Sequence, residues 1–204
     1  MVVVSGSNAQ QVAEQLAQSL GWQHVKLEAR RFPDSEGYIR IPEDEIQAIR
    51  SEPVVVVSNT FPDAGIVETM LILKAVSDVR KGSMENLRGI EPQKMEDIGP
   101  GVYLAVPYFG YSRQDKRFKP GEVISARAIA DMLAGQCDGL AVLDLHAPKV
   151  LENLSVPVAF TSAMPELANH LQSEVNPDFI LSPDKGAIDR ASEVANLIGC
   201  EFSY

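Results

Sequence analysis

An α/β architecture is the fold class this chain predicts, and three observations carry it. Apolar segments with strand spacing and with helix spacing alternate along the chain. Val54–Val57 is an unbroken aliphatic run, the pattern of a strand buried on both faces of a parallel sheet. The most basic segment, residues 106–122 (VPYFGYSRQDKRFKPGE), follows directly on a short apolar run, and α/β sheets place ligand contacts at such strand ends.

The elements follow in order. Residues 2–4 read as a strand, Ser5-Gly6-Ser7-Asn8 as a turn, and the next segment as a helix in which Val12, Leu16 and Leu20 recur at helical spacing. Residues 25–29 and 38–41 read as strands flanking a loop over residues 30–37, and Val54–Val57 as a core strand. Residues 66–79 are helical in composition but apolar on more than one face, which fits deep burial or cover by a second subunit. Residues 81–100, with Gly82, Gly89, Pro92, Gly99 and Pro100 and few large apolar side chains, read as an insertion. Strands are expected at 102–106, 140–145 and 156–160, with a helix at 126–133 capped by Ser125 and another at 165–172. Residues 179–182 open a new strand, 186–198 a helix, and 201–204 a further strand. This predicts a first domain over 1–160 and the start of a second over 161–204. A strand, helix and strand cannot close a core alone, so either these residues dock onto the first domain or the chain is a fragment of a longer protein, and the fragment is the favoured expectation.

Composition narrows the function classes. With 204 residues, 45% of them hydrophobic, the chain can bury a respectable core. A net charge of -10 disfavours broad contact with nucleic acid or anionic lipid, since both require neutralisation of phosphates by Lys and Arg. The apolar runs are too short to cross a bilayer, and Met1-Val2-Val3-Val4 lacks the charged start of a secretory signal, so a cytoplasmic protein is expected. Cys137 and Cys200 form no CxxC pair and read as buried thiols.

Against that acidic background residues 106–122 form a basic island suited to a polyphosphate. Arg113 offers a planar fork of donors, Lys116 a point charge, and Gln114 a directional hydrogen bond, with Arg117 and Lys119 completing the cations. In Arg30-Arg31-Phe32-Pro33-Asp34-Ser35-Glu36-Gly37 an aromatic ring and carboxylates could embrace a purine and its amine, although a plain turn would use similar residues. Asp144-Leu145-His146 lies at an expected strand end, where alternation would put Asp144 and His146 on one face. Ser182-Pro183-Asp184-Lys185-Gly186 is another strand end; Asp184 could bind a hard cation or simply cap the helix. His24 and His170 read as structural or exposed.

Taken in order, FPDSE, YSRQDK, DLHA and SPDKGA closely resemble the ribose-phosphate pyrophosphokinase (phosphoribosyl pyrophosphate synthetase) family, and the resemblance covers nearly the whole chain. It implies a phosphoribosyltransferase-like three-layer α/β domain followed by the start of a second, similar one, and assembly into homodimers or hexamers. It implies that Phe32, Asp34 and Glu36, with Ser35 between them, lie in a loop that binds the adenine of a neighbouring subunit's nucleotide. Arg113 and Gln114, with Lys116 beside them, would contact ATP, and His146 and Asp184 would match positions for Mg2+. The implied reaction is attack by the anomeric hydroxyl of ribose 5-phosphate on the β-phosphorus of MgATP, with departure of AMP. Ser35 stands where the family usually has Gly, and residues 81–100 enlarge a connection that is short in the family. The family's catalytic Lys and Arg loop and its ribose-phosphate loop would lie beyond Tyr204. No catalytic residue is therefore assigned, and this chain alone is expected to be inactive. A noncatalytic, nucleotide-binding regulatory relative is the alternative.

Overall fold

The computed structural model of the protein describes residues 1–81 and 100–204. They form two compact units, Met1–Phe160 and Thr161–Tyr204. Nearly all of the expected insertion lies outside the described residues.

In the first unit the order is β1 (Val2–Ser5), α1 (Gln10–Leu20), β2 (Gln23–Lys26), β3 (Glu28–Arg31), β4 (Gly37–Arg40), α2 (Ile46–Ser51), β5 (Val54–Val57), α3 (Asp63–Arg80), β6 (Val102–Val106), α4 (Ser125–Ala134), β7 (Gly139–Leu143) and β8 (Val158–Thr161). Strands β2-β1-β5-β6-β7-β8 form one sheet in that spatial order. The pairings β1 with β2, β1 with β5, β5 with β6 and β6 with β7 are all parallel. The register places Val2 beside Val54 and Val54 beside Val102, so like faces align across the sheet.

Period-two alternation explains the layers. Val2, Val4, Val54, Val56, Val102, Leu104, Leu140 and Val142 share one core with Ile72, Leu73, Val76 and Val79 of α3 and Ala130 and Leu133 of α4. Val3 and Val57 point the other way and pack with Ala9, Ala13 and Ala17 along α1. Each large aliphatic side chain buried there contributes about 1.5–3 kcal/mol. The small alanines let α1 lie close to the sheet, and its buried residues are Ala13 and Ala17. Val12 and Leu20, at 43% and 47% exposure, are left on the outside, while Leu16 packs against this cluster.

Other departures are local. Ser125 is the first residue of α4 and Ile124 its cap, with no side-chain capping bond. Strand β7 ends at Leu143 and Asp144 takes a left-handed φ of 47°, so strand alternation does not run on to His146. Between β2 and β5 the chain leaves the main sheet as an antiparallel hairpin, β3 with β4, pairing Ala29 with Ile39 and Arg31 with Gly37. Buried Arg80 closes the far end of α3: its Nε donates to Ile49 O (3.2 Å) and its Nη2 to Glu52 O (2.6 Å), tying α3 to the chain around α2.

The second unit holds α5 (Met164–Glu174), β9 (Phe179–Leu181), α6 (Ile188–Ile198) and β10 (Glu201–Ser203). β9 and β10 pair in parallel, and Met164, Ala168 and Val194 form its small core with Ile180 and Ile198 packed against them.

Candidate functional site

The carboxyl ends of the three central strands β1, β5 and β6 open into short polar segments, Ser7-Asn8, Ser58-Asn59-Thr60 and the start of the basic loop. These segments are knitted together. Asn8 and Asn59 clasp each other: Asn8 Nδ2 donates to Asn59 O (3.1 Å), while Asn59 N donates to Asn8 Oδ1 (3.0 Å) and Asn59 Nδ2 to Asn8 O (3.0 Å). The remaining amide oxygen of Asn59 accepts from Tyr108 N at 2.9 Å. Fully buried Thr60 donates its N–H to Tyr108 O (3.1 Å) and accepts from Gly110 N through Oγ1 (2.7 Å). Glycine is required at 110, because a Cβ there would stand 2.3 Å from Thr60 O.

Tyr111, in a left-handed conformation with φ of 63°, extends the clasp to α3 by donating its phenol to Asp63 Oδ1 at 2.6 Å. That hydrogen bond, more than desolvation, raises the phenol's pKa above its ordinary 10.0. Beyond it Gln114 turns the chain: its N–H donates to Tyr111 O, its carbonyl accepts from Ala126 N at the start of α4, and its side-chain Nε2 donates to Lys116 O at 3.1 Å. Arg117 Nε donates to Glu122 O (2.8 Å), and the Glu122 carboxylate accepts from Phe118 N and Lys119 N. Lys116 Nζ lies 5.3 Å from the centre of the Phe118 ring. Arg113 differs from these: it is exposed and makes no hydrogen bond or ion pair among the described residues. The island therefore divides into Arg117, which closes the loop, and Arg113, Lys116 and Lys119, which are exposed and make no side-chain hydrogen bond among the described residues.

The hairpin tip is organised from within. Arg30 lays its guanidinium 4.1 Å from the Tyr38 ring centre and 4.9 Å from that of Phe32, and the two rings meet edge to face at 5.7 Å. Phe32 N donates to Glu36 O and Ser35 N to Phe32 O; Asp34 Oδ1 accepts from Glu36 N, and Arg31 Nη1 donates to Ser35 O. Ser35 sits at φ 76°, the left-handed region that glycine adopts without steric cost. Hairpin and α3 enclose a cavity of about 570 Å³ lined by Arg30, Arg31, Glu36 and Tyr38 on one side and Val67, Glu68 and Leu71 on the other. Glu68 closes its floor, accepting from Ser7 N and Ser7 Oγ, each at 2.6 Å. The lining includes no residue of the basic loop.

His146 is exposed, three residues past the end of β7 in the first unit. Asp184 lies in the second unit, where its Oδ1 accepts from Ala187 N at 3.0 Å and so caps the turn leading into α6. Among the described residues no three His, Cys, Asp or Glu side chains converge on a possible metal position. His24, whose Nε2 lies 2.9 Å from Ser5 Oγ, is held below its usual pKa by burial and belongs to the edge of the sheet. Sequence reasoning missed Asn8, Asn59, Thr60, Asp63 and Tyr111. The available signal was the run of hydrogen-bonding side chains placed directly after the aliphatic strand β5.

Comparison with known proteins is in keeping with this geometry. The family model for the N-terminal domain of ribose phosphate pyrophosphokinase matches residues 1–136. Ribose-phosphate pyrophosphokinases of Methanothermobacter thermautotrophicus and Sulfurisphaera tokodaii are 35% and 32% identical across the whole chain. The chain spans 64% of the length of each of these relatives. Phosphoribosylpyrophosphate synthetase from Mycobacterium smegmatis superposes with a TM-score of 0.74 over 98% of this chain and 62% of its own, at 22% identity, and so shares the fold. The strand order, the polar strand ends and the match over residues 1–136 converge: the chain belongs to the ribose-phosphate pyrophosphokinase family.

Proposed function

We propose that this chain is the nucleotide-binding portion of a cytoplasmic ribose-phosphate diphosphokinase. The whole protein would transfer the β,γ-diphosphoryl group of ATP to the anomeric hydroxyl of ribose 5-phosphate. A bond forms between that oxygen and the β-phosphorus, the bond from the β-phosphorus to the α,β-bridging oxygen breaks, the hydroxyl proton is released, and AMP departs. The observation that carries the reading is Arg113, a guanidinium without a protein partner among the described residues, on a loop braced by neighbouring strand ends at the carboxyl edge of a parallel sheet.

In this reading Arg113 binds phosphate oxygens through its fork of donors and Lys116 adds a mobile point charge. Gln114 spends its side-chain N–H on Lys116 O, which leaves its amide oxygen to accept from the nucleotide. Phe32 supplies a ring face for adenine, with Asp34, Ser35 and Glu36 beside it, and serves the nucleotide of a neighbouring subunit. The hairpin cavity without basic-loop residues supports that division of labour. Exposed Val67 and Leu71 on α3 support association of copies as a homodimer or hexamer.

His146 in the first unit and Asp184 in the second are each read as a position for Mg2+. The Asp184 carboxylate retains an oxygen not used by its cap, which suits an ion that keeps several waters and takes its other oxygens from the nucleotide. When bound, the ion would shield the charge of the phosphates.

Calorimetry with MgATP tests the reading. Wild-type protein should bind, and Arg113→Ala should weaken binding by about 1.5–3 kcal/mol, the range for a hydrogen bond to a charged group. Equal affinity of the variant would remove Arg113 from the site, and absence of binding by wild type would end the proposal. Binding without AMP release from ribose 5-phosphate by the full-length protein would make it a noncatalytic relative.

A further inference from the structure

Among the described residues, the side-chain hydrogen bonds of residues 113–122 run to neighbours within the loop. Its position relative to the sheet is set earlier, at residues 108–111. There the adjacent residues Asn59 and Thr60 grip it at three points, Asn59 Oδ1 from Tyr108 N, Thr60 N to Tyr108 O and Thr60 Oγ1 from Gly110 N. Asn59 is itself immobilised by its clasp with Asn8, so the grip joins the ends of β1, β5 and β6. Thr60 is 0% exposed, and its hydroxyl is engaged with the loop backbone at Gly110 N. The missing Cβ at Gly110 lets the two backbones approach this closely.

We propose that Thr60 and Asn59 are positioning residues for the nucleotide, acting through the loop backbone on Arg113. The inference rests on the reading of that loop as the ATP site. Its physical basis is that a phosphate-binding fork gains affinity only where it is held in place, and a shift of about 1 Å in its base loses much of that gain. A buried side-chain acceptor and a paired amide are the means of holding it here. Neither residue needs to touch the ligand.

The test is a set of variants of the full chain, assayed for MgATP affinity by calorimetry and for folding by thermal melting. Thr60→Val keeps the shape but removes the acceptor for Gly110 N, and should weaken MgATP binding about fivefold, the equivalent of one ordinary hydrogen bond. Thr60→Ser keeps the acceptor and should bind as wild type does, which a purely volumetric role would not give. The double variant Thr60→Val with Arg113→Ala should bind no more weakly than Arg113→Ala alone, because the effect passes through that guanidinium. If Thr60→Val fails to fold, Asn59→Ala undergoes the same comparison.

Wild-type affinity in Thr60→Val, or fully additive losses in the double variant, would overturn the inference while leaving the nucleotide site standing. Unchanged binding by Arg113→Ala, or no binding by wild type, would defeat the underlying site reading and the inference with it.

Discussion

The hairpin tip and the basic loop are both candidate nucleotide-binding segments, yet they are built on opposite principles. The tip is held by its own residues: Arg30 against Phe32 and Tyr38, Arg31 on Ser35 O, Asp34 on Glu36 N. Every one of these partners lies within eight positions in sequence. The entry to the basic loop is held by Asn59, Thr60 and Asp63, some fifty positions earlier in the chain. A segment stabilised locally can project from the body and serve another molecule, as the hairpin is proposed to do. One anchored by strand ends presents its side chains in a frame set by the whole sheet.

Variants that attack each kind of support should separate the two. Gly110→Ala carries the largest expected effect, because the new Cβ meets the backbone of Thr60; overpacking of this kind costs about 1–3 kcal/mol, read as a lower urea midpoint. It should also weaken MgATP binding. Ser35→Gly acts at the tip in the other direction. Relief of the left-handed cost, partly offset by the greater backbone freedom of glycine, should stabilise by about 0.5–1 kcal/mol, measurable as slower amide exchange confined to residues 30–37. Arg30→Ala removes an exposed cation from two ring faces and should loosen the same residues by about 0.5 kcal/mol, leaving exchange in residues 106–122 unchanged. Loss of protection in both segments from a tip variant would abolish the distinction drawn between them.

The smallest effect is expected from pH. The Tyr111 phenol has its pKa raised by Asp63, so the folded chain holds that proton more tightly than the unfolded chain. The contribution of the bond is therefore complete below pH 10 and is lost as pH rises through the higher folded value. Ultraviolet titration should show tyrosinate appearing late at this position, and Tyr111→Phe should remove that late component. An unchanged titration curve in the variant would place the phenol outside the bond.

The fold was legible to the extent that it depends on period and run length. Aliphatic runs at β1 and β5 announced themselves because a strand buried on both faces needs apolar residues at every position. Helix α3 was evident for the same reason, with Ile72, Leu73, Val76 and Val79 spaced for burial. Phase was less legible. In α1 the spacing of Val12, Leu16 and Leu20 marks the helix, but its buried residues are Ala13 and Ala17, since close packing on the sheet favours small side chains. Asp144 misled too: a strand end is set by the last ladder partner, and the apolar Leu145 after Asp144 makes the strand pattern look as if it runs past Leu143, where β7 stops.

In the candidate site the charged residues stood out by contrast with an acidic chain, and four ordered motifs pointed to the family before any coordinates. By itself the sequence determined the alternation of elements, the parallel core and the chemistry of the candidate site groups, because these follow from residue type and near-neighbour spacing. Only the tertiary structure decided that Arg117 closes the loop while Arg113 stays without a partner among the described residues, and that Asn59, clasped by Asn8, and Thr60 meet the loop at all. Those outcomes depend on donors and acceptors brought together by strand order, and hydrogen bonds between residues some fifty positions apart leave no periodic trace in the chain.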